Sequence, residues 1–132
     1  MCDIGILRRV ANLPPSVVVG KSDDYREFKG AMAENFVCCE LKRLYEGDLY
    51  YWTAEGAGRA EVDFIVQDDA NIVPIEVKAG TASHARSLTQ YCKKYNPEKS
   101  VLTSMDHDKD NVLPLYAFWK LKDFLQRRMS MS

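Results

Sequence analysis

The sequence predicts a single α/β domain that spans residues 1–132, with a β-sheet core flanked by helices. Three observations lead to this class. Segments with helical periodicity stand on both sides of three consecutive β-prone runs, and short polar turns separate those runs. The chain has 132 residues, of which 46% are hydrophobic, so it is long enough to bury one core.

The first predicted elements are two helices. Apolar residues recur semi-periodically over residues 3–13, and a pair of prolines at 14 and 15 ends that segment. A loop over residues 14–24 leads into a long helix over residues 24–46. Steps of 100° per residue put Glu34 inside the apolar stripe of this helix, so we expect its carboxylate to be withdrawn from bulk water. The alternative is a glutamate at the edge of the stripe that makes a structural salt bridge.

Three strands are predicted next, over residues 49–53, 60–66 and 72–78. The turns between them are short, so we expect an antiparallel meander. Strict alternation assigns the side chains of the second and third strands to faces. In the second strand, one face carries Val62, Phe64 and Val66, and the other carries Glu61, Asp63 and Ile65. In the third strand, one face carries Val73, Ile75 and Val77, and the other carries Pro74, Glu76 and Lys78.

The second half of the chain predicts a helix, two strands and a final helix. Thr81 or Ser83 can cap a helix that extends to residue 95. Strands over residues 100–104 and 112–117 follow, and an amphipathic helix over residues 118–128 completes the pattern.

The composition excludes several classes of protein. Lys and Arg number 18 against 19 Asp and Glu, and non-specific affinity for nucleic acid needs a basic excess. A generic polyanion binder is therefore excluded, whereas an enzyme with a local basic rim is not. The four cysteines lack metal-ligand spacing and predict reduced thiols. No apolar run approaches the roughly 18 residues of a membrane span, and no signal peptide is recognisable, so we expect a cytoplasmic protein with no membrane partner.

A phosphate-binding loop is also excluded. Gly20-Lys21-Ser22 matches the end of such a loop, but the loop needs a further glycine where Pro15 stands. The cradle of main-chain N–H groups is then missing. We expect no nucleotide site in this sequence.

The pattern that carries chemistry is Asp63 together with Glu76 and Lys78. Asp63 and Glu76 stand 13 positions apart on two predicted neighbouring strands, and Glu76 and Lys78 share a face. Mg²⁺ prefers oxygen ligands from one or two carboxylates, and a nearby lysine can activate a metal-bound water. Glu34 would supply a third carboxylate. The alternative is an exposed sheet face with a lysine–carboxylate pair that contributes under about 1 kcal/mol.

Three segments carry a resemblance to a known family: residues 30–41 (GAMAENFVCCEL), Glu61-Val62-Asp63-Phe64, and residues 74–80 (PIEVKAG). The order of helix glutamate, strand aspartate and strand Glu-x-Lys resembles the PD-(D/E)XK nuclease superfamily. More narrowly, nearly the whole chain is similar to the uncharacterised C-terminal domain of prokaryotic AAA-type ATPases. The resemblance implies a restriction-endonuclease-like mixed β-sheet core flanked by helices. It also implies that the chain is the C-terminal fragment of a longer protein whose partner is its own AAA-type ATPase module.

The resemblance further implies roles for individual residues. Asp63, Glu76 and Lys78 fall on the signature positions of the superfamily, and Glu34 falls on its helix glutamate. Gln90 stands where members often keep a polar residue for the site. Val62 occupies the position of the nominal proline of the motif.

Two functional hypotheses follow. In the first, Asp63 and Glu76 hold Mg²⁺ or Mn²⁺, with the Val77 carbonyl and Glu34 as further ligands. Lys78 then positions the attacking water for hydrolysis of a phosphodiester, with DNA as the expected substrate. In the second, the domain is catalytically silent and docks DNA or a protein partner, or regulates the attached ATPase. The sequence leaves oligomerisation open.

Overall fold

The computed structural model describes residues 23–56, 59–80, 85–105 and 112–129 of the chain. These residues form three α-helices, five strands and one 3₁₀-helix. In chain order they are α1 (Asp23–Leu44), β1 (Tyr50–Thr53), β2 (Glu61–Asp68), β3 (Asn71–Val77), α2 (Arg86–Tyr95), β4 (Val101–Ser104), β5 (Val112–Pro114), the 3₁₀-helix (Leu115–Lys120) and α3 (Leu121–Met129).

The strands form one mixed sheet in the order β1-β2-β3-β4-β5. The pairs β1–β2 and β2–β3 are antiparallel, as the short turns predict, whereas β4 and β5 add in parallel to β3. The parallel step from β3 to β4 requires a crossover, and α2 supplies it. The prediction of an α/β fold with a mixed sheet flanked by helices is confirmed.

The main core lies on the face of the sheet that α1, the 3₁₀-helix and α3 cover. Apolar side chains from all three helices meet the inward residues of the central strands, and burying them supplies most of the stabilisation of the fold. The fully buried members from the helices are Val37, Leu41, Phe118, Leu121 and Leu125, and those from the sheet are Val73, Ile75 and Val101.

Helix α2 covers the opposite face of the sheet. Glu76 stands between Ile75 and Val77, which both belong to the main core, so alternation points its side chain to the other side. There its carboxylate accepts a hydrogen bond from the main-chain N–H of Leu88 in the first turn of α2. Residues 73–77 of β3 are therefore buried on both faces. The alternative of an exposed sheet face does not hold at Glu76, because α2 lies over it.

A β-bulge in β2 changes the predicted faces. Tyr50 pairs with Ile65 and Trp52 pairs with Val62, so two residues of β2 oppose one residue of β1. The two bulged residues are Asp63 and Phe64. Because Tyr50 and Trp52 share a face, their partners Ile65 and Val62 share one too. The predicted placement of Val62 with Val66 is wrong for this reason.

The contacts on the face of the sheet that α2 covers are consistent with that bulge. Val62 is fully buried but lies outside the main core. The ring of Trp52, its partner on β1, packs edge-on against Tyr91 of α2 at 5.4 Å between centroids. Trp52 Nε1 donates a hydrogen bond to the hydroxyl of Tyr95 at 3.2 Å.

Two predicted boundaries differ from the structure. Helix α2 begins at Arg86 with Ala85 as its N-cap, which makes no side-chain hydrogen bond. The predicted caps, Thr81 and Ser83, lie outside the described residues. The last strand ends at Pro114, because a proline lacks the N–H that would continue the ladder. The chain then turns into the 3₁₀-helix instead of extending the strand to residue 117.

Several predictions lie outside the described residues, including the helix over residues 3–13, the loop that ends at Ser22 and the side chains of Thr81 and Ser83. Within the described chain, Cys38, Cys39 and Cys92 are thiols and form no disulfide, as expected. None of the described helices combines the length and apolarity needed to cross a lipid bilayer.

The packing of α1 predicts a large difference between two neighbouring positions. Leu41 is fully buried in the main core, whereas Lys42 is exposed. We expect Leu41→Ala to lower the free energy of unfolding by about 2–5 kcal/mol, because it removes buried methyl groups and leaves a cavity. Lys42→Ala, the matched control on the same helix turn, should change it by less than about 0.5 kcal/mol. Urea unfolding followed by circular dichroism measures both, and equal losses would contradict the assignment of the core.

Candidate functional site

Asp63 and Glu76 lie side by side on β2 and β3. The antiparallel pairing joins Phe64 to Ile75, and Asp63 and Glu76 are the next residues along the two strands. Asp63 Oδ2 accepts a hydrogen bond of 2.7 Å from the main-chain N–H of Val77. At the bulge, the Asp63 carboxylate, in place of a main-chain carbonyl of β2, thus accepts the hydrogen bond from the last N–H of β3.

Both oxygens of the Glu76 carboxylate have partners. Oε1 lies 2.7 Å from Lys78 Nζ, and Oε2 accepts the Leu88 N–H at 2.9 Å. The Glu76 side chain is 3% exposed and that of Lys78 is 39% exposed. A buried carboxylate is costly unless it is paired, and here an ammonium and a helix-terminal N–H compensate it. Glu76 therefore holds β3, Lys78 and α2 together.

The carboxyl group of Asp63 is perturbed by its surroundings. Burial raises its pKa to about 6, and the neighbouring Glu34 and Glu76 carboxylates raise it as well. The Val77 N–H and the Lys78 ammonium act in the opposite direction. Burial is the largest of these effects, so the ionised form of Asp63 is disfavoured mainly because it is poorly solvated.

Glu34 belongs to the same electrostatic cluster, but its side chain is exposed. The expectation that it is largely withdrawn from water is wrong: it lies at the edge of the stripe, whose buried members are Val37 and Leu41. Partial desolvation nonetheless raises the pKa of Glu34, as does the negative charge of Glu61, while Lys78 lowers it. Glu61 reaches this side because the bulge inverts the alternation before Asp63.

A groove with a volume of about 980 Å³ opens beside Asp63. It runs from β2 past the exposed rings of Tyr50 and Tyr51 on β1 to the C-terminal end of α1. Glu76 and Lys78 do not line it. Asp63 is therefore the member of the cluster that faces space large enough for a substrate.

The oxygen atoms around Asp63 and Glu76 that could bind a metal suit a hard cation such as Mg²⁺ only in part. The described residues contain no group of three or more His, Cys, Asp or Glu side chains arranged to hold a metal ion. Two carboxylates and a main-chain carbonyl would be the ligands, and Mg²⁺ is commonly held by one or two carboxylates together with waters and substrate phosphates. The partly buried carboxylate of Asp63, which lies near Glu34 and Glu76, fits such an ion, whereas Glu76 would have to exchange one of its present partners.

The comparison with protein families gives one match. A family described as a domain of unknown function, DUF4143, matches residues 29–118. The chain belongs to the DUF4143 family. This domain is associated with AAA ATPase proteins. No curated protein and no solved structure matches the chain.

All six predicted site residues, Val77 included, lie inside the part that matches DUF4143, and the structure brings all of them except Gln90 together. Gln90 is exposed on α2. It follows Leu88 by two residues, which places it about 200° around the helix from the side that meets Glu76. Val77 is buried, and its N–H, instead of its carbonyl, makes the observed contact with the cluster.

Two polar groups of the DUF4143 domain have no clear signal in the sequence. The Leu88 N–H is a main-chain donor on an apolar residue, so no sequence motif points to it. Thr103 pairs with Val77 across β3 and β4, and its fully buried Oγ1 has no hydrogen-bond partner among the described residues. The only signal for Thr103 is a polar residue in a β-prone run, which is too common to be informative.

The pKa of Asp63 predicts how stability depends on pH. The carboxyl group ionises near pH 6 in the folded state and near its ordinary value of 3.8 in the unfolded state, so the folded state binds the proton more tightly. Its contribution is fully present below about pH 4 and is lost as the pH rises through 6. Allowing for solvent screening, we expect a loss of about 1–2 kcal/mol between pH 4 and 7.5. Asp63→Asn, which can still accept the Val77 N–H, should remove this loss.

Urea unfolding in EDTA at pH 4 and 7.5 measures the effect. Glu98→Gln is the matched control, since Glu98 is an exposed carboxylate between α2 and β4 and should leave the pH dependence unchanged. A pH dependence that is the same in Asp63→Asn and the wild type would exclude Asp63 as its source.

The surroundings of Glu34 predict how the loss of its charge affects the thermal stability of the domain. Since its carboxylate is destabilised by its surroundings, Glu34→Gln should melt at the same temperature as the wild type or higher in EDTA. Glu40→Gln on the same helix breaks an ion pair with Arg43 of 2.7 Å and should melt slightly lower. A thermal-melt series compares them. If Glu34→Gln melts well below the wild type, Glu34 is a structural salt-bridge partner instead.

Proposed function

We propose that this domain is a metal-dependent nuclease domain of the PD-(D/E)XK type, with a restriction-endonuclease-like core, that hydrolyses phosphodiester bonds of DNA. One observation carries the proposal: Asp63 and Glu76 directly follow the paired residues Phe64 and Ile75 on neighbouring strands, and the Lys78 ammonium lies 2.7 Å from Glu76. Burial and the nearby Glu34 and Glu76 carboxylates raise the pKa of Asp63, and a divalent cation would stabilise the ionised groups.

In this proposal, Asp63 and Glu76 hold Mg²⁺ or Mn²⁺, and the Val77 carbonyl and Glu34 are its further ligands from the chain. The ion supplies Lewis-acid chemistry and a bound water of lowered pKa. Lys78 orients that water or stabilises charge that develops on the phosphate. The groove beside Asp63 admits the substrate, and its aromatic wall suits the flat faces of bases.

The family match supports the second part of the proposal. Since DUF4143 domains are associated with AAA ATPase proteins, we infer that an ATPase module in the same parent chain acts with this domain. A cytoplasmic location suits both the proposed nuclease and the ATPase module.

A second candidate is a catalytically silent nuclease fold that binds DNA or a protein or regulates the ATPase. It is favoured by Glu76, whose two oxygens are already occupied by Lys78 and the Leu88 N–H. A carboxylate that is satisfied in this way needs no metal, and the contacts then serve stability alone.

Nicking of supercoiled plasmid DNA in Mn²⁺ tests the first candidate. We expect Asp63→Asn and Glu76→Gln to reduce the rate by about 100-fold or more, because each removes a charge that positions the metal and the developing transition state. Glutamine keeps an acceptor for the Leu88 N–H, so it tests chemistry without breaking the link to α2. Lys78→Met should have a similar effect on the rate.

Glu98→Gln is the control for the nicking assay and should retain the wild-type rate. Nicking that survives both carboxamide variants would exclude this site. Calorimetry separates the two candidates: no heat of Mn²⁺ binding at millimolar metal favours the silent fold.

A further inference from the structure

The exposed side of α2 has an unusual distribution of charge for this chain. The helix contains Arg86, Lys93 and Lys94 and no acidic residue, although the whole chain carries a net charge of −1. All three basic side chains are exposed. Acidic groups are absent from the helix, so the helix itself contributes only positive side-chain charge to this surface.

The basic residues lie on one stripe of the helix. Arg86 and Lys93 are seven residues apart, which places them about 20° apart around the axis and about 10.5 Å apart along it. Thr89 and Gln90 lie between them on the same side, while Leu88 and Tyr91 face the sheet. No ion pair in the described part of the chain involves Arg86 or Lys93.

The stripe begins at the candidate site. The Leu88 N–H binds Glu76, and Ser87 Oγ accepts the Glu61 N–H at 3.2 Å, so the first turn of α2 is fixed against the carboxylate cluster. Arg86 lies in that same turn. A polyanion that followed the stripe would therefore reach the cluster at one end.

We propose that the exposed stripe of α2, formed by Arg86, Gln90 and Lys93, docks the phosphate backbone of duplex DNA. The proposal rests on the proposed function, since it assigns the surface along which the substrate of that site lies. Two cations with the amide donor of Gln90 between them are complementary to regularly spaced phosphates, whereas the Thr89 hydroxyl already donates to the Ala85 carbonyl at 2.8 Å. It also gives Gln90 a role, as a phosphate contact outside the carboxylate cluster.

The test is binding of a fluorescein-labelled 20-base-pair duplex, followed by anisotropy in EDTA at several salt concentrations. The double variant Arg86→Gln/Lys93→Gln should bind about tenfold more weakly or worse at low salt. The slope of log K against log salt should become shallower by about 0.9 for each phosphate that the variant no longer neutralises. Glutamine suits an exposed helix position, so the fold should be retained, and circular dichroism verifies this.

The matched control is Lys120→Gln/Arg127→Gln, which removes the same charge from exposed residues on the other side of the sheet. It should bind DNA with nearly the wild-type affinity and slope. The inference is overturned if the wild type does not bind the duplex, if the α2 double variant binds like the wild type, or if the control loses as much affinity. Binding in EDTA and nicking in Mn²⁺ are separate readouts: DNA binding through α2 without nicking overturns only the proposed function. Nicking that the α2 double variant leaves unchanged overturns only this inference.

Discussion

The buried carboxylate of Glu76 is the constraint on which the arrangement of this domain depends. It lies on the central strand β3, is 3% exposed, and is compensated by an ammonium on one oxygen and a main-chain N–H on the other. Loss of either partner would leave a charge in a poorly solvated position, at a cost of several kcal/mol. The start of α2 and the position of Lys78 are therefore fixed together, and the crossover to β4 begins from that point.

The same contacts limit the chemistry of the site. A carboxylate that anchors a helix cannot move freely to accommodate an ion, so any metal must be held mainly by the group with the fewest commitments. That group is Asp63, which gives one oxygen to the Val77 N–H and faces the groove. Asp63, with its perturbed pKa, is therefore the residue suited to bind a metal, whereas Glu76, whose oxygens both have partners, holds the structure together. The sequence motif treats these two residues as a pair.

Local patterns were sufficient to predict the long helix, the antiparallel meander and the convergence of Asp63 and Glu76, because hydrophobic periodicity and short turns determine these features. They were insufficient for the exposure of Glu34, because a position within 100° of an apolar stripe is buried only if another element covers it. They also failed for Val62, since one extra residue in β2 becomes visible only when the partner strand is known. The Leu88 N–H carries no side-chain signature, and DUF4143 membership does not point to it either.

The bulge at Asp63 and Phe64 shifts the alternation of side chains along β2 by one residue. Every residue of β2 before it is turned to the opposite face from the one that strict alternation assigns, so Val62 meets α2 and Glu61 meets the side of Glu34. Removing Asp63 would restore a regular strand and leave Val62 and Glu61 on their present faces, because the two bulged residues together occupy one place in the alternation. The extra residue therefore adds a carboxylate to the site without moving its neighbours, and a homologous domain that lacked the bulge could keep the same hairpin while losing that carboxylate.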